Sequence, residues 1–381
     1  MRLFEPINIS GMRLKNKIVH TPIVTNLATK EGYVTRDLIE RYARIARGGA
    51  AWIIIEDVVV TPRMSPYNLI INDDRFIEGL KRLTETVHRQ GDVKIGIQLG
   101  HFLKVSMSGY RQTVENLTRA EIIEIYDQHI EAAKRIKLCG FDSLEWDAES
   151  CMTLSQFLSR NNKRKDDYGG KLENRMRLLL EIYDTTREIL GRNYILGARI
   201  NGDDLVIGGN TLLHSTQIAL KLAEKGIDYL SISCGGQWED ARPVIEGEPP
   251  SAYTGYSGLR CWPRTWEPDG TNVYMAEAIL KHLRKVGYST PIITAGKIPT
   301  PEFAEEILNE EKADIIGLGR PLLCDPDWVN KAINGKTDEI IYCKYCNHCA
   351  EVNDRFELTN CIQWPKGNIQ APDPFLPKEK D

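Results

Sequence analysis

The sequence predicts an α/β protein: a (β/α)8 TIM barrel with a short C-terminal cysteine-rich segment. Three observations carry that expectation. Eight short β-branched runs alternate with amphipathic helical stretches through most of the 381 residues. The first run leads into "PIVTNLATKEG", which lacks the GxGxxG turn that would open a doubly wound dinucleotide-binding sheet. The last two runs end in Gly296-Lys297 and Gly319-Arg320, small-plus-basic pairs at the strand ends where a barrel carries its chemistry.

The expected strands are "KIVHTPIVT" (17–25), "AAWIIIEDVVV" (50–60), "VKIGIQLG" (93–100), "DSLEWDA" (142–148), "YILGARIN" (194–201), "DYLSISC" (228–234), "TPIITAG" (290–296) and "ADIIGLG" (313–319). Helical patterns lie between them, among them "TRDLIERYARIARGG" and "RAEIIEIYDQHIEAAKRIKLCG". Several of these end in Gly, which suits the left-handed position after a helix. The barrel is assigned residues 1–335 and the cysteine-rich tail residues 336–381.

Composition narrows the class. Lys and Arg number 49 against 53 Asp and Glu, net charge -4, so nothing draws the chain to nucleic acid or anionic membranes. No run approaches the ~18 apolar residues of a membrane span. The N-terminal "MRLFEPINISGMRLKNKIVH" has no signal-peptide apolar core, so a cytoplasmic protein is expected. Nine cysteines, an odd number, do not form a disulfide framework; Cys139, Cys151, Cys234, Cys261 and Cys324 read as small buried hydrophobes.

The stretch from Gly235 to about Asn272 shows no regular pattern and, with Tyr274, carries six aromatic residues. It reads as a lid or substrate wall over the mouth (235–274), or alternatively as a subdomain on the barrel's side. Gly296, Lys297, Gly319 and Arg320 suit a phosphate: glycine lets backbone N–H groups approach, and the basic side chains add charge. Cys343, Cys346, Cys349 and Cys361 form C-x2-C-x2-C-x11-C just past the barrel. Four thiolates suit zinc or an iron–sulfur cluster, and three on one tight loop with a distant fourth is the style of a [4Fe–4S] site.

"NKIVHTPIVTN", "IGIQLGH", "QFLSRNNKRKDDYGGKLENRMRLLLEI", "ARINGDD" and "ADIIGLGRPLLCDPDW" together resemble the old yellow enzyme family of FMN-dependent oxidoreductases. The resemblance implies FMN across the C-terminal mouth of the barrel. By position, Pro22 and Ile23 would touch the flavin ring through their backbone, Gln98 its pyrimidine edge and Arg199 its N1–C2 carbonyl. Gly296, Lys297, Gly319 and Arg320 would hold the phosphate. "CNHC" past the barrel is similar to the family's iron–sulfur branch, the 2,4-dienoyl-CoA reductases and trimethylamine dehydrogenase-like enzymes, which implies a [4Fe–4S] cluster.

The pattern also breaks. Where family members hold a substrate carbonyl with a His pair after strand four, this chain has Asp147 and Ser150, and the proton-donating Tyr of the dienoyl-CoA reductases falls at Met152. The catalytic positions after strand six fall near Glu239 and Asp240, and Val24 replaces the cysteine that binds FMN covalently in the amine dehydrogenases. An acidic group of Asp147, Glu149, Glu239 and Asp240 is therefore expected to line the mouth and supply the proton. The expected activity is reduction of an activated C=C bond of a bulky conjugated substrate. No GxGxxG follows the cysteines, so electrons are expected through the cluster from a separate electron-transfer flavoprotein or reductase subunit, in an oligomer. Two alternatives stand beside it: an amine-type dehydrogenase exporting electrons, and a non-catalytic barrel subunit with structural zinc.

Overall fold

A computed structural model describes residues 1–61, 66–105, 110–243 and 250–373. Each of the eight predicted runs contains one barrel strand. In chain order these are β1 (Ile18–His20), β2 (Trp52–Val59), β3 (Lys94–Gly100), β4 (Ser143–Ala148), β5 (Ile195–Asn201), β6 (Tyr229–Ser233), β7 (Ile292–Thr294) and β8 (Ile315–Gly317). They pair in sequence order, all parallel, and β8 closes on β1. The outer helices include α1 (Arg36–Arg47), α2 (Ile77–His88), α3 (Arg119–Cys139) and α4 (Leu172–Leu190). Thr118 and Glu121 cap α3 reciprocally, and the helix stops at Gly140, whose φ of 81° is the left-handed conformation that glycine adopts without strain.

Strand alternation divides the core. Ile18, Ile53, Ile55, Ile95, Ile97 and Leu144 face outward and pack with the helices. Val19, Trp52, Ile54, Ile195, Tyr229, Ile293 and Ile315 face inward and fill the lower barrel. An N-terminal hairpin, Ile7–Ile9 paired with Met12–Leu14, seals the floor with Ile9, Met12 and Leu14. Each such fully buried aliphatic side chain stabilises the fold by about 1.5–3 kcal/mol. Above this plug the interior turns polar, with Gln98, Glu145, Asp147, Arg199 and Ser231. A dry floor and a polar top leave chemistry to the C-terminal mouth.

The patternless stretch after β6 contains a two-residue pairing, Arg242–Pro243 with Pro250–Ser251, and a short helix, Tyr256–Cys261. Six residues are too few for a periodicity to show. Part of the predicted 235–274 wall, residues 244–249, lies outside the described residues.

The tail folds back on the barrel. Asn353 Nδ2 and the Thr359 hydroxyl both donate to the Val24 carbonyl, at 2.9 and 2.7 Å, and Asn26 Nδ2 donates to the Glu357 carbonyl at 2.7 Å. Arg41 and Arg44 of α1 donate to the carbonyls of Ile369 and Pro372. Among the described residues no helix is long and apolar enough to cross a membrane.

Candidate active site

Buried acids gather at the mouth around one guanidinium. Asp147 on β4 stands in register with Arg199 on β5. Arg199 Nε lies 3.6 Å from Glu149 Oε1, and its terminal nitrogens reach the hydroxyls of Ser231 and Ser233 at 3.5 and 3.4 Å. The Ser150 hydroxyl donates to the other Glu149 oxygen at 2.5 Å. Gln98 Nε2 donates to Glu145 Oε1 at 2.9 Å, while Glu145 Oε2 has no partner. Asp57 on β2 is buried with both carboxyl oxygens unpartnered. It packs on Gly100, where a Cβ would fall 1.8 Å from Asp57 Oδ1, so no larger residue fits there.

Burial sets the protonation of this group. It raises Glu145 to about 7 against the opposing pull of Arg199, and it raises Asp57 to about 8 with help from Glu56 and Glu149. Asp147 is pushed well above the ordinary carboxyl range by burial, then by Glu149 and Asp57. Carboxyl groups in this state hold protons near neutral pH and can give them up to a substrate. His101, by contrast, is lowered to about 3 by burial and the neighbouring His129, and its Nδ1 is tied to the Thr153 hydroxyl at 2.7 Å. It stays neutral and structural.

The three expected acids do not meet. Asp147 faces the buried group just described. Glu239 is exposed, with Asn161 Nδ2 at 3.5 Å. Asp240 accepts from the Ser257 backbone N–H at 2.7 Å and from its hydroxyl at 2.6 Å, tethering the short helix Tyr256–Cys261. Two successive left-handed glycines, Gly235 (φ 65°) and Gly236 (φ 68°), turn the chain away from the barrel axis before Glu239. That stretch brings to the mouth Gln237, donating to the Ser150 carbonyl at 2.8 Å, Cys261, whose Sγ lies 3.6 Å from Ser150 Oγ, and half-buried Tyr253, whose phenol lies near Glu149 and Asp147. Trp266, Tyr256 and Tyr274 are 71%, 59% and 47% exposed, so half of its aromatics face solvent.

The residues expected at the phosphate do come together. Lys297 Nζ donates to the carbonyls of Thr265, at 2.8 Å, and Glu267, and pairs with Asp269 at 3.4 Å. Arg320 donates to the Pro263 carbonyl at 2.7 Å and to Asn347 Oδ1 at 2.5 Å. Both cations lie over the ring of Tyr345, Lys297 at 5.7 Å and Arg320 at 4.8 Å from its centroid. Gly296 needs glycine for its φ of 111°. At Gly319 a Cβ would meet Thr21 and Ile23 at 2.9 and 3.0 Å, which brings β8's end against the half-buried Pro22 and buried Ile23.

Cys343, Cys346, Cys349 and Cys361 line one small cavity beside Arg320. Left-handed Tyr345 (φ 52°) and Asn347 (φ 61°) curl the loop, and the Tyr345 N–H points at Cys343 Sγ, 3.4 Å away. His348 is held by Asn360 at 2.9 Å. Among the described residues no three Cys, His, Asp or Glu side chains converge on a point that one metal ion could occupy. The same loop is stapled to the wall: Asn347 Nδ2 donates to the Trp262 carbonyl at 2.6 Å, and the Thr265 hydroxyl to the Lys344 carbonyl at 2.8 Å.

Sequence reasoning missed Asp57, Glu145, Cys261 and Tyr345. The available signal for the first two was an acid inside a run assigned to a buried strand, Asp57 beside Glu56 and Glu145 between Leu144 and Trp146. Cys261 and Tyr345 carried none beyond their place in a loop and between two candidate ligands.

Sequence patterns of the NADH:flavin oxidoreductase / NADH oxidase family match residues 2–116, 103–249 and 261–339. The chain belongs to this family. Its resemblance to old yellow enzymes is thereby shown, and with it flavin-dependent oxidoreduction as its class of chemistry. An NADH oxidase of Thermoanaerobacter brockii is 35% identical over 366 residues, 91% of this chain and 52% of that protein. A metal reductase of Desulforamulus reducens is 33% identical over 379 residues, 94% of this chain and 53% of its own length. The chain therefore spans about half the length of these two relatives. Among solved structures, a 2-naphthoyl-CoA reductase complex superposes with a TM-score of 0.82 at 25% identity, covering 96% of this chain and 57% of the other. A histamine dehydrogenase from Rhizobium superposes at 0.79 over 96% of this chain and 52% of the other, with 23% identity, which speaks for the fold alone.

Proposed function

We propose that the chain is the FMN- and [4Fe–4S]-bearing part of an oxidoreductase that reduces an activated C=C bond of a bulky, conjugated substrate. Electrons would arrive from a separate electron-transfer flavoprotein or reductase subunit. The observation that carries the reading is the mouth itself: buried carboxyl groups gathered beside Gln98 and Arg199, with burial raising Glu145 to about 7 and Asp147 well above the ordinary carboxyl range. Bound FMN supplies hydride chemistry there, and an iron–sulfur cluster supplies single-electron exchange with the partner.

The residues fit both groups. Gln98 and Arg199 present donors for a flavin's pyrimidine edge, Pro22 and Ile23 lie where backbone meets the ring, and Gly296, Lys297, Gly319 and Arg320 gather at the phosphate end. Asp147, buried and with its carboxyl pushed well above the ordinary range, is the proposed proton donor; Asp240 holds the wall, and Glu239 is exposed. Four thiols lining one cavity, three of them on one tight loop and the fourth distant in sequence, are what the proposed [4Fe–4S] cluster would need, one thiolate per iron. Cys346 is exposed, which suits electron exchange at the surface.

One observation favours the amine-dehydrogenase alternative. Glu145, Asp147 and Glu149 cluster around one cation, Arg199, and carboxyls whose pKa burial has raised can release their protons when a cationic substrate enters beside them. An anaerobic visible spectrum with iron, zinc and flavin quantification, followed by substrate mixing, separates the readings. About four irons and one FMN per chain are expected, with the reduced flavin reoxidised by 2-cyclohexenone or an enoyl thioester. Reduction of the oxidised flavin by amines would establish the alternative; colourless protein holding zinc alone would establish the non-catalytic subunit.

A further inference from the structure

Tyr345 holds an unusual place. It stands between two of the proposed cluster ligands, yet its ring lies under the two cations of the proposed phosphate site. The side chain is 4% exposed, and its hydroxyl is buried without any hydrogen-bond partner. A buried phenol O–H is normally satisfied, because desolvating it without a partner is costly. Both neighbouring cations already spend donors on the carbonyls of Pro263, Thr265 and Glu267. Neither cation over the ring offers the hydroxyl an acceptor, since ammonium and guanidinium only donate. The group that would accept from the hydroxyl and also match the charge of both cations is an anion with several acceptor oxygens.

We propose that the Tyr345 hydroxyl is a third side-chain donor to the phosphate of bound FMN, supplied by the cysteine loop rather than by the barrel. The inference rests on the placement of FMN given above and adds a residue from a different element. The geometry explains why an aromatic residue with a polar tip is tolerated in the tight Cys343–Cys346 turn at a left-handed φ of 52°. It also makes the loop that carries the thiols part of the wall of the flavin site.

The test is flavin affinity of the full chain, depleted of flavin and titrated by fluorescence quenching with FMN and, separately, with riboflavin, which lacks the phosphate. Tyr345→Phe removes one unpartnered oxygen, so the flavin-free variant should be no less stable than wild type and hold as much iron. FMN binding is expected to weaken about tenfold while riboflavin binding is unchanged. Unaltered FMN affinity overturns the proposal, and so does an equal loss for riboflavin, which would mark Tyr345 as packing only. If wild type binds riboflavin as tightly as FMN, no phosphate site exists here and the inference falls while the flavin reading stands. Wild type that binds neither flavin removes the flavin reading itself, and this inference with it.

Discussion

The Thr359 hydroxyl donates to the Val24 carbonyl at 2.7 Å, joining positions 335 residues apart. Val24 follows Pro22 and Ile23, so the bond ties the tail to the loop proposed to lie against the flavin. Thr359 is fully buried, and Asn353 Nδ2 also donates to its oxygen at 3.3 Å. Thr359→Val keeps the shape and removes the bond. The variant should lose about 1–2 kcal/mol, read as a lower urea midpoint with an unchanged slope.

Stability should fall as pH rises across neutrality. Asp57 is raised to about 8, and Glu145 and Glu56 to about 7, chiefly by burial, whereas unfolded carboxyls titrate near about 4. The folded state therefore holds more protons than the unfolded state between these values. The stabilisation is full below about pH 4 and is lost as pH rises through 7 to 8. Each group contributes a slope of at most about 1.4 kcal/mol per pH unit. Asp57→Asn should flatten the fall in melting temperature between pH 6 and 8.5; an identical slope in the variant would remove Asp57 as its source.

Asp147 and Glu239 should respond oppositely to neutralisation. Asp147→Asn removes the proposed acid and should slow reoxidation of the reduced flavin by 2-cyclohexenone about 100-fold or more. It should leave the melting temperature intact, because a strained buried carboxyl is replaced by a neutral amide. Glu239→Gln, at an exposed site, should stay within about twofold of wild type, since surface changes away from the chemistry are mild. Stopped-flow traces at 450 nm distinguish the two.

Asp240→Ala should loosen the wall rather than the chemistry. It strips the acceptor from both the N–H and the hydroxyl of Ser257, which is fully buried. The cost should be about 1–3 kcal/mol, seen as faster proteolytic cleavage near the Tyr256–Cys261 helix.

Much of the fold was legible. All eight barrel strands fall inside the predicted runs, and in seven of them β-branched residues mark a strand buried on both faces; "DSLEWDA" has none. The acids of the mouth were harder to read. With Trp52 and Ile54 facing inward, strict alternation would send Glu56 inward and Asp57 outward. A register shift between Ile55 and Asp57 reverses that. Glu56 turns to Tyr42 on α1, and Asp57 lies against Gly100. No periodicity announces a bulge. Glu239 and Asp240 were assigned to the mouth by position, but the paired left-handed glycines before them depend on backbone angles that residue type permits without requiring. The tail's return to α1 and to Val24 rests on contacts between residues more than 300 positions apart, which local pattern does not register.

The wall over the mouth is held at both ends. One end is fixed on the barrel by Gln237, which donates to the Ser150 carbonyl, the other on the cysteine loop by Asn347 and Thr265. It is thus an arch on two abutments, not a flap on one hinge. An arch transmits load: a change in the tail reshapes the room offered to the substrate, and a change in that room pulls on the tail. On the proposed reading, substrate choice and electron supply are therefore mechanically linked.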